Sequence, residues 1–134
     1  MDRTHAELTS TECWELLALS SVGRLALSVR ALPTILPVRY AIDADAVAIH
    51  MGRFGLPAAA VHDSVVAFAV DHIDEAADSG WIVQMQGLAQ LAQLARPGGT
   101  PTGAGPVAGG QLLRLVPGML SGQRFTLGSG APGA

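Results

Sequence analysis

Hydrophobic and polar residues alternate with period two through the first half of the chain. Leu25, Leu27 and Val29 alternate with Arg24, Ala26 and Ser28. Leu36, Val38, Tyr40 and Ile42 alternate with Ile35, Pro37, Arg39 and Ala41, and Val47, Ile49 and Met51 alternate with Ala48 and His50. Successive side chains of a strand point to opposite faces, so each set predicts a strand with one face buried. Asp43-Ala44-Asp45 is short and turn-forming, which predicts a hairpin between the last two strands. Pro37 lacks an amide hydrogen and needs an edge, a bulge, or a neighbour that is not a strand. Residues 65–70 are apolar on both faces and predict a central strand. A charged connection over 71–79 leads to the longest predicted strand, 81–91, and 112–116 and 121–127 predict two closing strands.

Helical signals are few. Thr9-Ser10-Thr11-Glu12 is a capping box, in which the Thr9 hydroxyl and the Glu12 carboxylate each accept the other residue's backbone N–H. It opens a helix over 12–18 with Cys13, Leu16 and Leu17 on one face, ended by Ser20 and Ser21. A short Ala-rich helix is predicted over 56–61, with Pro57 in its first turn where the missing N–H does no harm. Residues 97–110 are rich in Gly, Pro and Thr and predict a mobile loop, and 128–134 a frayed tail. The reading is mainly β with short helices: one domain over 1–127, as a closed or nearly closed antiparallel barrel of six to seven strands. A β-sandwich fits the same periodicity.

Composition narrows the partners. Only 14% of the residues are charged, below the roughly 25% usual for soluble domains. A surface so poor in charge predicts that a second subunit covers part of it. The net charge is −3 and all eight basic residues are Arg, so a clustered basic face for nucleic acid is not expected. Cys13 is the sole cysteine, so no disulfide forms within the chain and nothing points to an oxidising compartment. The polar first residues lack an apolar signal core, and no run of about eighteen apolar residues predicts a membrane span. The cytoplasm is the default location.

The order of short motifs adds a further inference. Val22-Gly23-Arg24-Leu25-Ala26 follows the capped helix, then come Leu36-Pro37-Val38-Arg39-Tyr40 and Val47-Ala48-Ile49-His50-Met51-Gly52-Arg53. Val66-Ala67-Phe68-Ala69-Val70-Asp71 and Ser79-Gly80-Trp81-Ile82-Val83 complete the series, which is renewed at Leu113-Arg114-Leu115-Val116-Pro117 and Ser121-Gly122-Gln123-Arg124-Phe125. This order resembles the pyridoxamine 5′-phosphate oxidase-like family, the FMN-binding split β-barrels. The resemblance implies a homodimer with a small planar cofactor, FMN or a deazaflavin, in the groove between subunits. The ring would lie along Leu36, Pro37, Val38 and Arg39. The phosphate would sit near His50, Met51, Gly52, Arg53 and Gly55, at the start of the predicted 56–61 helix, and Trp81 and Ile82 would face the ligand from another strand.

The chain departs from the family's pattern at three of these places. The family commonly has Thr or Ser after the third strand and Lys before the helix, where this chain has Met51 and Gly55. Arg53 is then the one cation within reach of a phosphate in that turn. Ile82 stands where the family has a small polar residue. Three readings stay open: a flavin- or deazaflavin-dependent oxidoreductase, a binding protein on the same scaffold that performs no turnover, and a dimer that has lost its cofactor. No catalytic acid or base stands out. His62, Asp63, Asp71, His72, Asp74 and Glu75 match no metal-ligand spacing and read as charged surface.

Overall fold

A computed structural model describes residues 5–51, 61–92 and 112–128. The elements in chain order are β1 (His5–Glu7), α1 (Ser10–Leu17), β2 (Val22–Val29), β3 (Leu32–Asp43), β4 (Ala46–His50), β5 (Ser64–Asp74), β6 (Ser79–Ala92) and β7 (Leu112–Thr126). All pairings are antiparallel. Going round the sheet, β7, β4, β3, β2, β5 and β6 follow one another, and β6 returns to β7. Six strands thus close a ring, and β1 extends it by pairing with the far end of β7. The expected antiparallel barrel is what forms, and the sandwich alternative is excluded by the closure through β7.

The core follows the period-two pattern. Leu25, Leu27, Leu36, Val38, Tyr40, Val47 and Ile49 all point inward, and they meet Val66, Phe68, Val70, Val83, Met85, Leu113 and Leu115 from the later strands. With so few aromatic rings, Tyr40 and Phe68 form the central pair, edge to face with centroids 5.1 Å apart. Tyr40 also donates its hydroxyl to the Leu17 carbonyl, an end of α1 that has no intrahelical partner. The capping box forms at the other end: Thr9 N–H donates to Glu12 Oε1 (2.8 Å) and Glu12 N–H to Thr9 Oγ1 (3.1 Å). The face of α1 carrying Cys13 and Leu17 is buried against the barrel.

Several boundaries differ from expectation. β3 begins at Leu32, three residues before the predicted alternation starts at Ile35, because Arg30 and Ala31 turn the chain with φ of 54° and 67°. Positive φ at both central residues is the two-residue hairpin geometry that Asn-Gly usually signals, and neither residue here does so. The charged connection expected over 71–79 is mostly strand: β5 runs to Asp74, and only residues 75–78 turn. The two closing strands are one, β7, which is the longest. Pro117-Gly118 reads as a break, but a bulge absorbs it, since Gln86 pairs with Met119 while Gly87 pairs with Pro117. The short helix expected over 56–61 lies, apart from buried Val61, outside the described residues, as do the loop over 97–110 and the tail after Gly128.

Gly23 shows how tightly β2 packs on β5. A Cβ built there would lie 2.5 Å from Phe68 Cζ and 2.9 Å from the Ala69 carbonyl oxygen. The backbone oxygen cannot move aside without breaking the β2–β5 ladder. Gly23→Ala is therefore expected to destabilise the protein by about 1–3 kcal/mol, the usual range for overpacking. A thermal melt read by circular dichroism checks this, and an unchanged midpoint would contradict it.

Candidate functional site

Unequal strand lengths open an edge in the ring. β3 has twelve residues and β4 only five. β4 pairs with β3 from Asp43↔Ala46 to Arg39↔His50, which leaves residues 32–38 of β3 with no described strand on that side. The Tyr40 N–H donates to the Ser21 carbonyl on the β2 side. Antiparallel strands alternate their hydrogen-bonding direction, so Leu36 and Val38 also bond toward β2, while Pro33, Ile35, Pro37 and Arg39 direct their amide positions to the other side. Pro33 and Pro37 place their missing N–H groups on the open edge, where no ladder bond is lost. Pro37 thus meets its expected edge placement.

The side chains divide in the same way. Leu36 and Val38 are in the core, so toward an external ligand they offer neither side chain nor amide. Met51 is buried in the core as well. Pro37 and Arg39 are exposed on the outer face. His50, directly opposite Arg39, is on that face but only 5% exposed, and among the described residues neither ring nitrogen has a hydrogen-bond partner. Burial pushes the His50 imidazole below the usual histidine range, and the Arg39 guanidinium adds to this. Arg24 pairs with Pro37 across β2 and β3, so it is the diagonal neighbour of Arg39 on the outer face. Among the described residues neither Arg24 nor Arg39 forms an ion pair, whereas Arg114 faces Asp43 at 3.7 Å and Asp45 at 3.5 Å.

Arg24 was not among the residues the sequence pointed to, because the unrecognised Arg30-Ala31 turn hid its register against Pro37. Gly52, Arg53 and Gly55 lie outside the described residues. Trp81 is half-buried on the core side, with its ring 6.3 Å from that of His72. Ile82 alternates with buried Val83 and points outward, between Asp71 on β5 and Gln123 on β7. Ile82 is therefore not a core residue. Strands β2 and β5 separate it from β3, three strand spacings or roughly 14 Å from Arg39. One chain alone does not bring Arg39 and Ile82 together.

Beside this edge the outer face is apolar. Ala26, Ser28, Pro33, Ile35, Val65 and Ala67 line a shallow trough of about 350 Å³. Ile35 and Val65 are each about two-thirds exposed or more, and Val65, Leu88 and Val116 form one cross-strand row with Met119 beside it. Among the described residues no group of three or more His, Cys, Asp or Glu is placed to hold a metal, and no helix is long and apolar enough to cross a membrane.

Residues 9–96 match the family model described as pyridoxamine 5′-phosphate oxidase. The chain belongs to this family. Comparison with curated proteins finds no match. Among solved structures, the chain is similar to the FAD binding protein from Mycobacterium smegmatis, with 24% identity, a TM-score of 0.70, and 90% of this chain and 98% of that one covered. A conserved protein of unknown function from Corynebacterium diphtheriae aligns with 22% identity and a TM-score of 0.72, covering 92% and 99%. An FAD-binding protein from Mesorhizobium loti aligns with 18% identity and a TM-score of 0.69, covering 90% and 96%. These likenesses establish that the chain shares its barrel fold with these proteins.

The buried His50 has a consequence for stability. Its folded-state pKa is lowered, so protonation favours the unfolded chain. The contribution is fully present above the unfolded value of about 6.5 and is lost as pH falls below it. The melting temperature is expected to drop as pH is lowered from 6.5, and His50→Gln to flatten that drop. Melts of both proteins through this window check it, and identical slopes would contradict it.

Proposed function

We propose that this protein binds a flavin nucleotide, in the FMN form, as a homodimer, and serves as a flavin-dependent oxidoreductase. The carrying observation is the open β3 edge with Arg39 exposed beside a buried, unpartnered His50. A planar ring would lie along an edge that carries prolines and, among the described residues, no adjoining strand. Its phosphate fits where a guanidinium and an imidazole converge, with residues 52, 53 and 55 following directly. Family membership supports the reading, as do the M. smegmatis and M. loti neighbours described as FAD-binding. The bound flavin would supply hydride chemistry, and the chain would supply binding and orientation. Arg39 and His50 would hold the anionic end, and Pro37 would border the ring.

Pairing two copies supports the same arrangement. Ile82 is too far from Arg39 to share a ligand within one chain, but a second copy can bring its Ile82 to the groove. The trough and the exposed row through Val65, Leu88 and Val116 form the apolar surface for that contact. A second reading, a carrier of a deazaflavin or other planar ligand without turnover, is favoured by Ile82 alone. Its aliphatic side chain offers no hydrogen bond to a polar ring edge.

Titration with FMN and riboflavin, followed by flavin fluorescence, tests the reading. Both are expected to bind, FMN more tightly. Arg53→Ala should weaken FMN by about 1.5–3 kcal/mol, the worth of a hydrogen bond to a charged group, and leave riboflavin unchanged. Equal losses for both would move the phosphate elsewhere, and no binding of either would reject the flavin.

The assembly has its own test. Light scattering after size exclusion is expected to give twice the single-chain 13.7 kDa, and Val65→Glu to give the single-chain mass, since a charge would be desolvated in the apolar contact. A wild-type monomer at micromolar concentration would overturn the shared groove.

A further inference from the structure

His50 is an unusual residue to bury. Both ring nitrogens are closed to solvent, and among the described residues neither has a hydrogen-bond partner. A buried polar group left unpaired costs stability. The groups around it carry charge of one sign. Arg39 is directly opposite on β3, with Arg24 diagonal to Arg39 on β2. On β7, Leu112 is opposite His50, and Arg114 lies two pairs further along, on the same face. The carboxylates on these elements are Asp43 and the turn residue Asp45, at the far end of the hairpin, and Arg114 holds both. No acidic side chain on β3, β4 or β7 is placed to stabilise an imidazolium.

We propose that His50 and Arg39 form a proton-coupled anion site, in which docking of a phosphate-like dianion is accompanied by uptake of one proton from solvent onto the His50 ring. The inference rests on the reading that the ligand's anionic end sits at this end of β3. A neutral imidazole has one donor, while an imidazolium has two. The incoming anion supplies the negative charge that the surrounding side chains lack, and its oxygens accept from one charged ring N–H group and from the exposed Arg39 guanidinium. Binding and protonation therefore reinforce each other: anion affinity rises as pH falls, and a bound anion holds the proton on at a pH where the free protein loses it. Arg39 has two opposite effects. Without an anion it adds to burial in disfavouring the imidazolium, and with one it shares the ligand, whose charge offsets its own.

The probe is sodium sulfate, which stays dianionic across the histidine range, so that any proton taken up belongs to the protein. Proton NMR of the full-length chain follows the ring C2–H resonances of the four histidines with pH. The resonance missing from His50→Gln identifies His50, and if that variant does not fold, through-bond assignment of the wild type serves instead. In chloride the His50 midpoint is expected below the ordinary range. Replacing chloride with sulfate at equal ionic strength is expected to raise it by about one pH unit, a roughly tenfold preference of the anion for the protonated site, with smaller changes at His5, His62 and His72. Arg39→Gln is expected to reduce that rise. A His50 midpoint unmoved by sulfate, or one that moves no more than the other three, overturns the proposal. The flavin titrations separate the two readings. A sulfate-dependent His50 in a protein that binds neither FMN nor riboflavin sustains the anion site without the flavin. Flavin binding with an unmoved midpoint does the reverse.

Discussion

The ring closes because one strand, β7, bonds to two others over the same residues. Leu112 to Leu115 pair with β4 on one side and with β6 on the other. Everything else about the barrel is arranged around that double pairing. It requires β4 to be inserted between β3 and β7, and β4 has only five residues. The twelve-residue β3 must then run past it, and among the described residues no strand pairs with the surplus on that side. A closed barrel normally removes sheet edges. Here closure through a short strand creates one, and the prolines at 33 and 37 fall on that edge, where a missing N–H harmlessly withholds a ladder bond from any strand that might add to it.

The same mismatch sets the chemistry of the edge. The last β3–β4 pair is Arg39↔His50, so the open stretch begins where these two polar side chains are directly opposite each other. Further along β3 the outer face turns apolar, through Pro37 and Ile35 to the trough against Ala26 and Ala67. A ligand with one anionic and one apolar planar end matches this gradient in one orientation only. The gradient follows from register: shifting β3 by one residue would send Arg39 and Ile35 into the core and Leu36 and Val38 outward. The core residues therefore enforce the site.

Much of this was legible in the alternation of residues. The inward sets on β2, β3 and β4 are those that periodicity marks, and the capping box forms as its spacing demands. Elements were missed where the usual local signal was absent or misleading. Arg30-Ala31 adopts a turn that Gly and Asn ordinarily mark, and Pro117-Gly118 looks like a strand end but is carried by a bulge against Gly87. Leu36, Val38 and Met51 were grouped with the ligand residues because the resemblance speaks of a strand, whereas the pleat sends their side chains inward. Arg24 was invisible for the opposite reason. Its place beside Arg39 depends on pairing across the hairpin, and a linear pattern contains no cross-strand distances.

His50 is where local rules and the fold disagree. A histidine in a strand is ordinary, and a polar residue on the outer face of a barrel is expected to meet water. Instead its neighbours on that face, Ala41, Ala46, Ala48 and Leu112, are buried too, so the ring is enclosed among groups that cannot bond to it. The polar side chains nearest in register are cationic donors, which can pair with an imidazole acceptor only from a suitable angle and never with its N–H. An anion satisfies both kinds of need at once, because it accepts from the guanidinium and from the ring. In the proposed anion site both groups meet the ligand through a single placement, the pairing of position 50 with position 39 at the end of the shortest strand of the ring.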